Sequence, residues 1–178
     1  SFGKKVFAYG FVYFSTFCRN SCSFCYYRKP NRLPPKYRLS LEETMEAVAK
    51  LDRLKVHLID LTMGEDPDII GAGGYKPLLE ICKEVRGEHD LPLMVSPGVV
   101  PREVLAALKR AGADWYALYQ ETHNRRLFAK LRPGQSYDAR ADARKAAMEE
   151  GLLAEDGILL GVGESALHAI AREHAGEP

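Results

Sequence analysis

Short apolar runs alternate along the chain with longer stretches in which apolar residues recur every three or four positions. Five runs predict β-strands: Val6 to Phe14, Val56 to Met63, Leu91 to Ser96, Asp114 to Gln120 and Ile158 to Gly161. The first is apolar at nearly every position, the pattern of a parallel strand covered on both faces. Between the runs the period changes. Leu41, Met45, Val48 and Leu51 fall on one helical face behind a Ser40-Leu41-Glu42-Glu43 capping box. Leu78, Ile81, Cys82 and Val85 share a face in a helix expected over Tyr75 to Glu88. A third helix has Pro101 near its start and Gly112 after its end. A loop and short helix through Asn124 to Lys130 lead to an Ala-rich helix, Asp138 to Glu150, closed by Gly151. Ser165 reads as the N-cap of a last helix.

Strands alternating with helices imply a parallel α/β sheet with right-handed crossovers. Five such units are too few for a closed eight-stranded barrel, which typically takes about 250 residues. The expected architecture is therefore a partial (β/α) barrel of the TIM type, a single domain over residues 1–178. A five-stranded doubly wound sheet is the alternative. The polar motifs favour the barrel, because each falls at the C-terminal end of a successive strand, where a barrel gathers its site. A doubly wound sheet concentrates ligands at one switch point.

Composition narrows the setting. A net charge of +1 on 178 residues gives no reason to invoke nucleic acid or an anionic membrane surface. The longest apolar run, Phe7 to Phe14, is far too short to span a bilayer. No secretory signal opens the chain, so it reads as cytoplasmic, and its first residue, Ser rather than Met, reads as a fragment.

The candidate chemistry centres on Cys18-Arg19-Asn20-Ser21-Cys22-Ser23-Phe24-Cys25, directly after the first strand. Three thiolates at this C-x3-C-x2-C spacing can each hold one iron of a 4Fe–4S cube, leaving the fourth iron open to a small molecule. Zinc with a fourth ligand such as His57, or a redox switch, are the competing readings. Cys82 reads as a small core residue.

The cysteine spacing resembles the radical S-adenosylmethionine (SAM) superfamily, and other segments extend the resemblance. Thr62-Met63-Gly64-Glu65-Asp66-Pro67 is similar to the family's glycine–glutamate motif, whose role is to receive the methionyl ammonium. Glu121, with Arg140 nineteen positions on, resembles the biotin synthase and hydrogenase-maturase branch. There the Glu accepts from the SAM ribose hydroxyls and the Arg clamps the SAM carboxylate, both sound hydrogen-bonding roles. Gly157-Ile158-Leu159-Leu160-Gly161-Val162-Gly163-Glu164 resembles the family's adenine-facing G-x-I-x-G-x-x-E pattern, with Leu159 at the Ile position. The resemblance thus implies a 4Fe–4S cluster on Cys18, Cys22 and Cys25. It implies SAM contacts from Phe24, Gly64, Glu65, Ser96, Glu121, Arg140 and Gly161.

Within the branch, the segments Phe11 to Cys18, Leu61 to Pro67, Ala117 to Thr122 and Glu155 to Leu159 resemble a subgroup that rearranges lysine into a methylated ornithine, the first step towards pyrrolysine. Asp60 stands where that group has a carboxylate near the amino-acid substrate. The implied partners are a lysine-like small molecule and an electron donor such as a flavodoxin or ferredoxin, with neither nucleic acid nor membrane. The match corresponds to the middle of a full-length member, without its preceding helical segment and later strands. The chain alone is therefore expected to be inactive, with its first and fifth strands left as edges. The alternatives are an enzyme of the same branch acting on another small amino acid, and a non-catalytic iron–sulfur or zinc module.

Overall fold

The computed structural model describes residues 3–163. Five parallel strands pair in chain order: β1 (Tyr9–Ser15), β2 (Leu58–Met63), β3 (Leu93–Ser96), β4 (Trp115–Ala117) and β5 (Leu153–Glu155). Helices α1 (Leu41–Arg53), α2 (Lys76–Glu88) and α3 (Arg102–Arg110) fill the first three crossovers. The last crossover carries α4 (Arg125–Leu131) and α5 (Tyr137–Glu149). The order 1-2-3-4-5 has no reversal, which excludes the doubly wound alternative. Neighbouring helices touch in sequence, α1 on α2, α2 on α3 and α3 on α5, as on the outside of a barrel wall.

Pleat alternation decides what each strand residue meets. Val12, Phe14, Ile59, Leu61, Leu93, Val95 and Tyr116 are buried in one cluster with Val48, Leu78, Ile81, Val85 and Leu105 of the helices. The alternate residues face the other way, and Tyr9 and Phe11 are 47% and 56% exposed. Among the described residues β1 is therefore covered on one face only. Its apolar pattern reads as two-sided burial, but α1, α2, α3 and α5 all pack into the one cluster on the same side of the sheet.

Local signals build the helices. The expected capping box is present on α1: Ser40 Oγ accepts from Glu43 N at 3.1 Å, and Ser40 N donates to Glu43 Oε2 at 2.7 Å. Pro77 sits in the first turn of α2. A wide helical turn at Asp68–Ala72, which the periodicity does not foretell, precedes that helix.

The fifth strand departs from expectation. Pairing with β4 uses Leu153–Glu155, whereas Ile158 makes a single bridge to Glu121. The reason lies in the end of α5. Gly151 turns the chain at φ +81°, and Leu153 N donates to Asp114 O at 2.9 Å, so pairing begins at once beside a three-residue β4. The apolar stretch that follows leaves the sheet, and Leu160 is 71% exposed. The helix expected from Ser165 lies outside the described residues.

Candidate active site

The loop after β1 is held from three directions. The end of the loop returns to β1 through an isolated antiparallel bridge between Ser15 and Arg38. Arg38 reaches the buried Asp66 with two bonds, Nε to Oδ2 at 2.5 Å and Nη2 to Oδ1 at 2.9 Å, and Ser15 Oγ donates to the same carboxylate. Burial opposes ionisation of Asp66, yet Arg38 and Ser15 hold its carboxyl below the ordinary range. From the far side, Ser23 N donates to Leu131 O at 2.8 Å, tying the loop to the end of α4.

Gly64 supplies the third restraint. A Cβ there would stand 2.2 Å from Phe17 O and 2.9 Å from Cys18 Cβ, so only glycine lets β2 end this close to the cysteine loop. The expected reason for this glycine was approach to a ligand; the contact shown is with the loop itself. Gly98 plays a similar part after β3. At φ +83°, its missing side chain leaves space that Glu65 fills, since a Cβ would lie 2.3 Å from Glu65 Cγ. Glu65 is buried and pairs with Arg19, Nε to Oε2 at 2.9 Å.

These elements enclose a cavity of about 240 Å³ at the C-terminal ends of the strands. Cys18, Cys22, Cys25, Phe24, Asp60, Gly64, Glu65, Ser96, Glu121 and Arg140 all line it. Gly161 is the exception among the expected site residues. It is exposed at φ +81°, outside the cavity lining, because the chain has already left the sheet.

Charge is concentrated in the wall. Glu121 is buried with its backbone at φ +66°, a conformation rare for a residue with a side chain and one that collects at functional sites. The backbone holds it there: Glu121 N donates to Gly157 O and Leu159 N to Glu121 O. Burial pushes its carboxyl above the ordinary value, against the pull of Arg132 and Arg140. Arg132 Nη2 meets Glu121 Oε1 at 2.6 Å. Arg140 is 4% exposed; its Nη2 donates to Tyr119 O at 2.7 Å and its Nη1 to Gln135 Oε1 at 3.3 Å. Burial, helped by repulsion from Arg132, brings Arg140 down to about 10, so it stays charged at neutral pH. Asp60 is 1% exposed, and burial raises its carboxyl to about 6 while Ser96 Oγ donates to it at 2.9 Å. Ser96, expected at the cofactor, thus spends its hydroxyl on Asp60.

The thiols fit a cluster better than a single ion. Among the described residues no group of three His, Cys, Asp or Glu converges as one metal ion requires. The three cysteines instead line one open cavity, the arrangement needed when each thiolate binds a different iron. Donors already serve two sulfurs: Asn20 N reaches Cys18 Sγ at 3.4 Å, and Gln135 Nε2 reaches Cys22 Sγ at 3.0 Å. His57 borders a different hollow at the opposite end of the sheet, which removes it as a fourth ligand. Cys82 is fully buried in α2, and its thiol is pushed up to about 12 by burial. Arg132, Gln135, Gly98 and Arg19 also stand at the site and were not among the expected residues; the Pro-Gly pair at 133–134 is the signal that could have drawn attention to Arg132 and Gln135.

Comparison with known proteins gives the same direction. The chain is 46% identical over 163 residues to 3-methylornithine synthase of Methanosarcina barkeri, covering 91% of this chain and 45% of that protein. It is 32% identical to the FeFe-hydrogenase maturase subunit HydE of Thermotoga maritima, covering 90% and 44%. The crystal structure of a methylornithine synthase superposes with a TM-score of 0.89 at 44% identity, over 95% of this chain and 49% of that one. The chain spans about half the length of the curated relatives it matches. The profile of the Radical SAM superfamily matches residues 12–170, most of the chain, and with the three thiols, Glu121 and Arg140 on one cavity wall this places the protein in that superfamily.

Proposed function

We propose that the protein acts as a methylornithine synthase, rearranging the carbon skeleton of lysine to 3-methylornithine on the path to pyrrolysine. The observation that carries the reading is the placement of Asp60. A buried carboxylate, prepared by Ser96, faces the same cavity as the cysteines, Glu121 and Arg140.

Cys18, Cys22 and Cys25 would hold a 4Fe–4S cluster, which with SAM supplies a carbon-centred radical able to take a hydrogen atom from an unactivated carbon. The chain's own residues do the rest. Arg140, whose guanidinium now holds Tyr119 O and Gln135 Oε1, would turn its remaining N–H groups to the SAM carboxylate, Glu121 would accept from the ribose, and Gly64 and Glu65 would border the methionyl end. Phe24, in the cavity lining, would flank the ligand. Asp60 receives a substrate ammonium: an approaching cation favours its ionised form, offsetting the burial that raises it to about 6. Phe11, Tyr13, Met63 and Leu118 supply apolar lining that keeps water from a reactive intermediate. A ferredoxin or flavodoxin in a reducing, cytoplasmic setting would deliver the electron.

The test uses full-length protein, reconstituted anaerobically and supplied with lysine, SAM and reductant, with product identified by mass spectrometry. Methylornithine is expected from the wild type. Asp60→Asn is expected to lower its yield at least about tenfold while iron content and SAM affinity stay unchanged. No methylornithine from wild type, or equal yield from the Asn variant, would defeat the reading.

A further inference from the structure

We infer that Arg132 and Gln135 are positioning residues that grip the Cys22 sulfur from behind and join it to the SAM-binding wall, raising the reduction potential of the cluster. The inference rests on Cys22 being a cluster ligand, and not on the identity of the substrate.

The local sequence builds the grip. Gln135 N donates to Arg132 O at 3.1 Å across Pro133 and Gly134, and Gly134 sits at φ +77°. Proline at the second position and a left-handed glycine at the third make a type II turn. Ser136 then caps α5, accepting from Ala139 N at 3.1 Å. Turn and cap together place Arg132, Gln135 and Arg140 on one wall of the cavity region.

Their contacts form one chain. Gln135 Nε2 donates to Cys22 Sγ at 3.0 Å, and Arg132 Nη1 reaches the same sulfur at 3.4 Å. Gln135 Oε1 accepts from both Arg132 Nη1 and Arg140 Nη1, each at 3.3 Å. Arg132 Nη2 goes to Glu121 Oε1 at 2.6 Å and to Tyr119 O at 3.2 Å. Arg132 is 7% exposed, its guanidinium lies 5.2 Å from the Phe24 ring centre, and its Nε has no partner.

A buried cation tolerates such a place only where negative charge surrounds it. Glu121 supplies one such charge. The sulfur of Cys22, as a ligand of the cluster, would supply the other. Hydrogen bonds to cluster sulfurs are among the factors that set potential, and outer partners of metal ligands shape both affinity and activity. One-electron reduction adds one negative charge to the cluster, so donors on a ligand sulfur favour the reduced state. The same guanidinium holds Glu121 at the position expected to meet the ribose, which couples the two binding events.

The experiment uses full-length protein with its cluster reconstituted, without lysine. Cluster potential is followed by EPR-monitored titration, SAM affinity by calorimetry and iron by chemical assay. Gln135→Leu is expected to keep wild-type iron content and to shift the potential downward. Arg132→Gln is expected to do the same and to weaken SAM binding by about tenfold, as loss of an outer partner does. Gln135→Glu, which keeps the shape but replaces the donor with an anion, should lower the potential further than Gln135→Leu. Loaded clusters with unshifted potentials in the Gln135 and Arg132 variants would overturn the inference. So would loss of iron in both Gln135 variants with the fold intact by circular dichroism, since that marks a purely structural role. Wild type that takes up no iron would overturn the cluster assignment and this inference together. A wild type that loads iron and forms no methylornithine would defeat only the substrate reading.

Discussion

The two ends of this sheet follow opposite rules. At the C-terminal ends of the strands, Asp60, Glu65, Asp66, Glu121, Arg132 and Arg140 are all buried, and each has a hydrogen-bonding partner. At the other end, Phe7, Tyr9, Val56, Leu91, Met94 and Trp115 line a hollow of about 710 Å³, and Phe7 and Tyr9 remain half exposed. Buried charge is costly, so its density at one rim marks where the protein prepares for a ligand. Apolar exposure at the other marks packing surface. The lesson is that buried polarity marks the candidate site better than cavity size does, since the larger hollow is mostly apolar, with His57 and Glu155 among the titratable residues in its lining.

Removing thiols from the polar rim should have the largest effect. Cys18→Ala, Cys22→Ala and Cys25→Ala are each expected to abolish uptake of about four irons, while Cys82→Ala in the helical core retains it. Iron assay and the visible spectrum check this; equal loss from Cys82→Ala would erase the distinction between site and core thiols.

Gly64→Ala comes next. Its Cβ would collide with Phe17 O, so the cysteine loop must move. A loss of about 1–3 kcal/mol in stability is expected, with reduced iron occupancy. Chemical denaturation beside iron assay measures both, and an unperturbed loop would show that the rim is less tightly built than the contact implies.

Arg140→Ala should weaken SAM binding by about 1.5–3 kcal/mol, the range for hydrogen bonds to charged groups. Calorimetry on the full-length protein tests it.

Asp60 offers a pH signature. Because burial raises its carboxyl from 3.8 to about 6, the folded state holds a proton that the unfolded state has released across that window. Stability from this group is present below the window and is lost as pH rises through about 6. Asp60→Asn removes the penalty, so its unfolding free energy relative to wild type, measured by chemical denaturation, should improve from pH 4 to pH 7.5, by on the order of 1–3 kcal/mol. A difference independent of pH would mean that Asp60 is not desolvated.

The smallest change is expected at the apolar end. Tyr9→Ser, on an exposed position of β1, should alter stability by no more than about 0.5 kcal/mol and leave SAM affinity untouched. A large loss of SAM binding from this variant would dissolve the contrast between the two ends.

Much was legible from the residues alone because much of it is local. The C-x3-C-x2-C spacing, the Ser40 capping box, and the helical faces of α1 and α2 each depend on neighbours within a few positions. The parallel sheet followed from alternation of strand and helix, and its unreversed order from polar motifs at the ends of successive strands. What failed was also physical. The apolar run Ile158 to Gly161 looks like a strand, but pairing is decided by where α5 ends, which places Leu153–Glu155 beside β4 instead.

Only the tertiary structure decided which residues converge. Cys22 and Arg132 are 110 positions apart, yet they share a hydrogen bond through two unrelated loops. Gly64 is needed because β2 ends against Phe17, and Asp60 is desolvated because the pleat turns it away from the helices into the cavity. Periodicity and caps are short-range preferences, set by a residue's immediate neighbours. Convergence depends on sheet register and crossover geometry, which no single stretch of the chain contains.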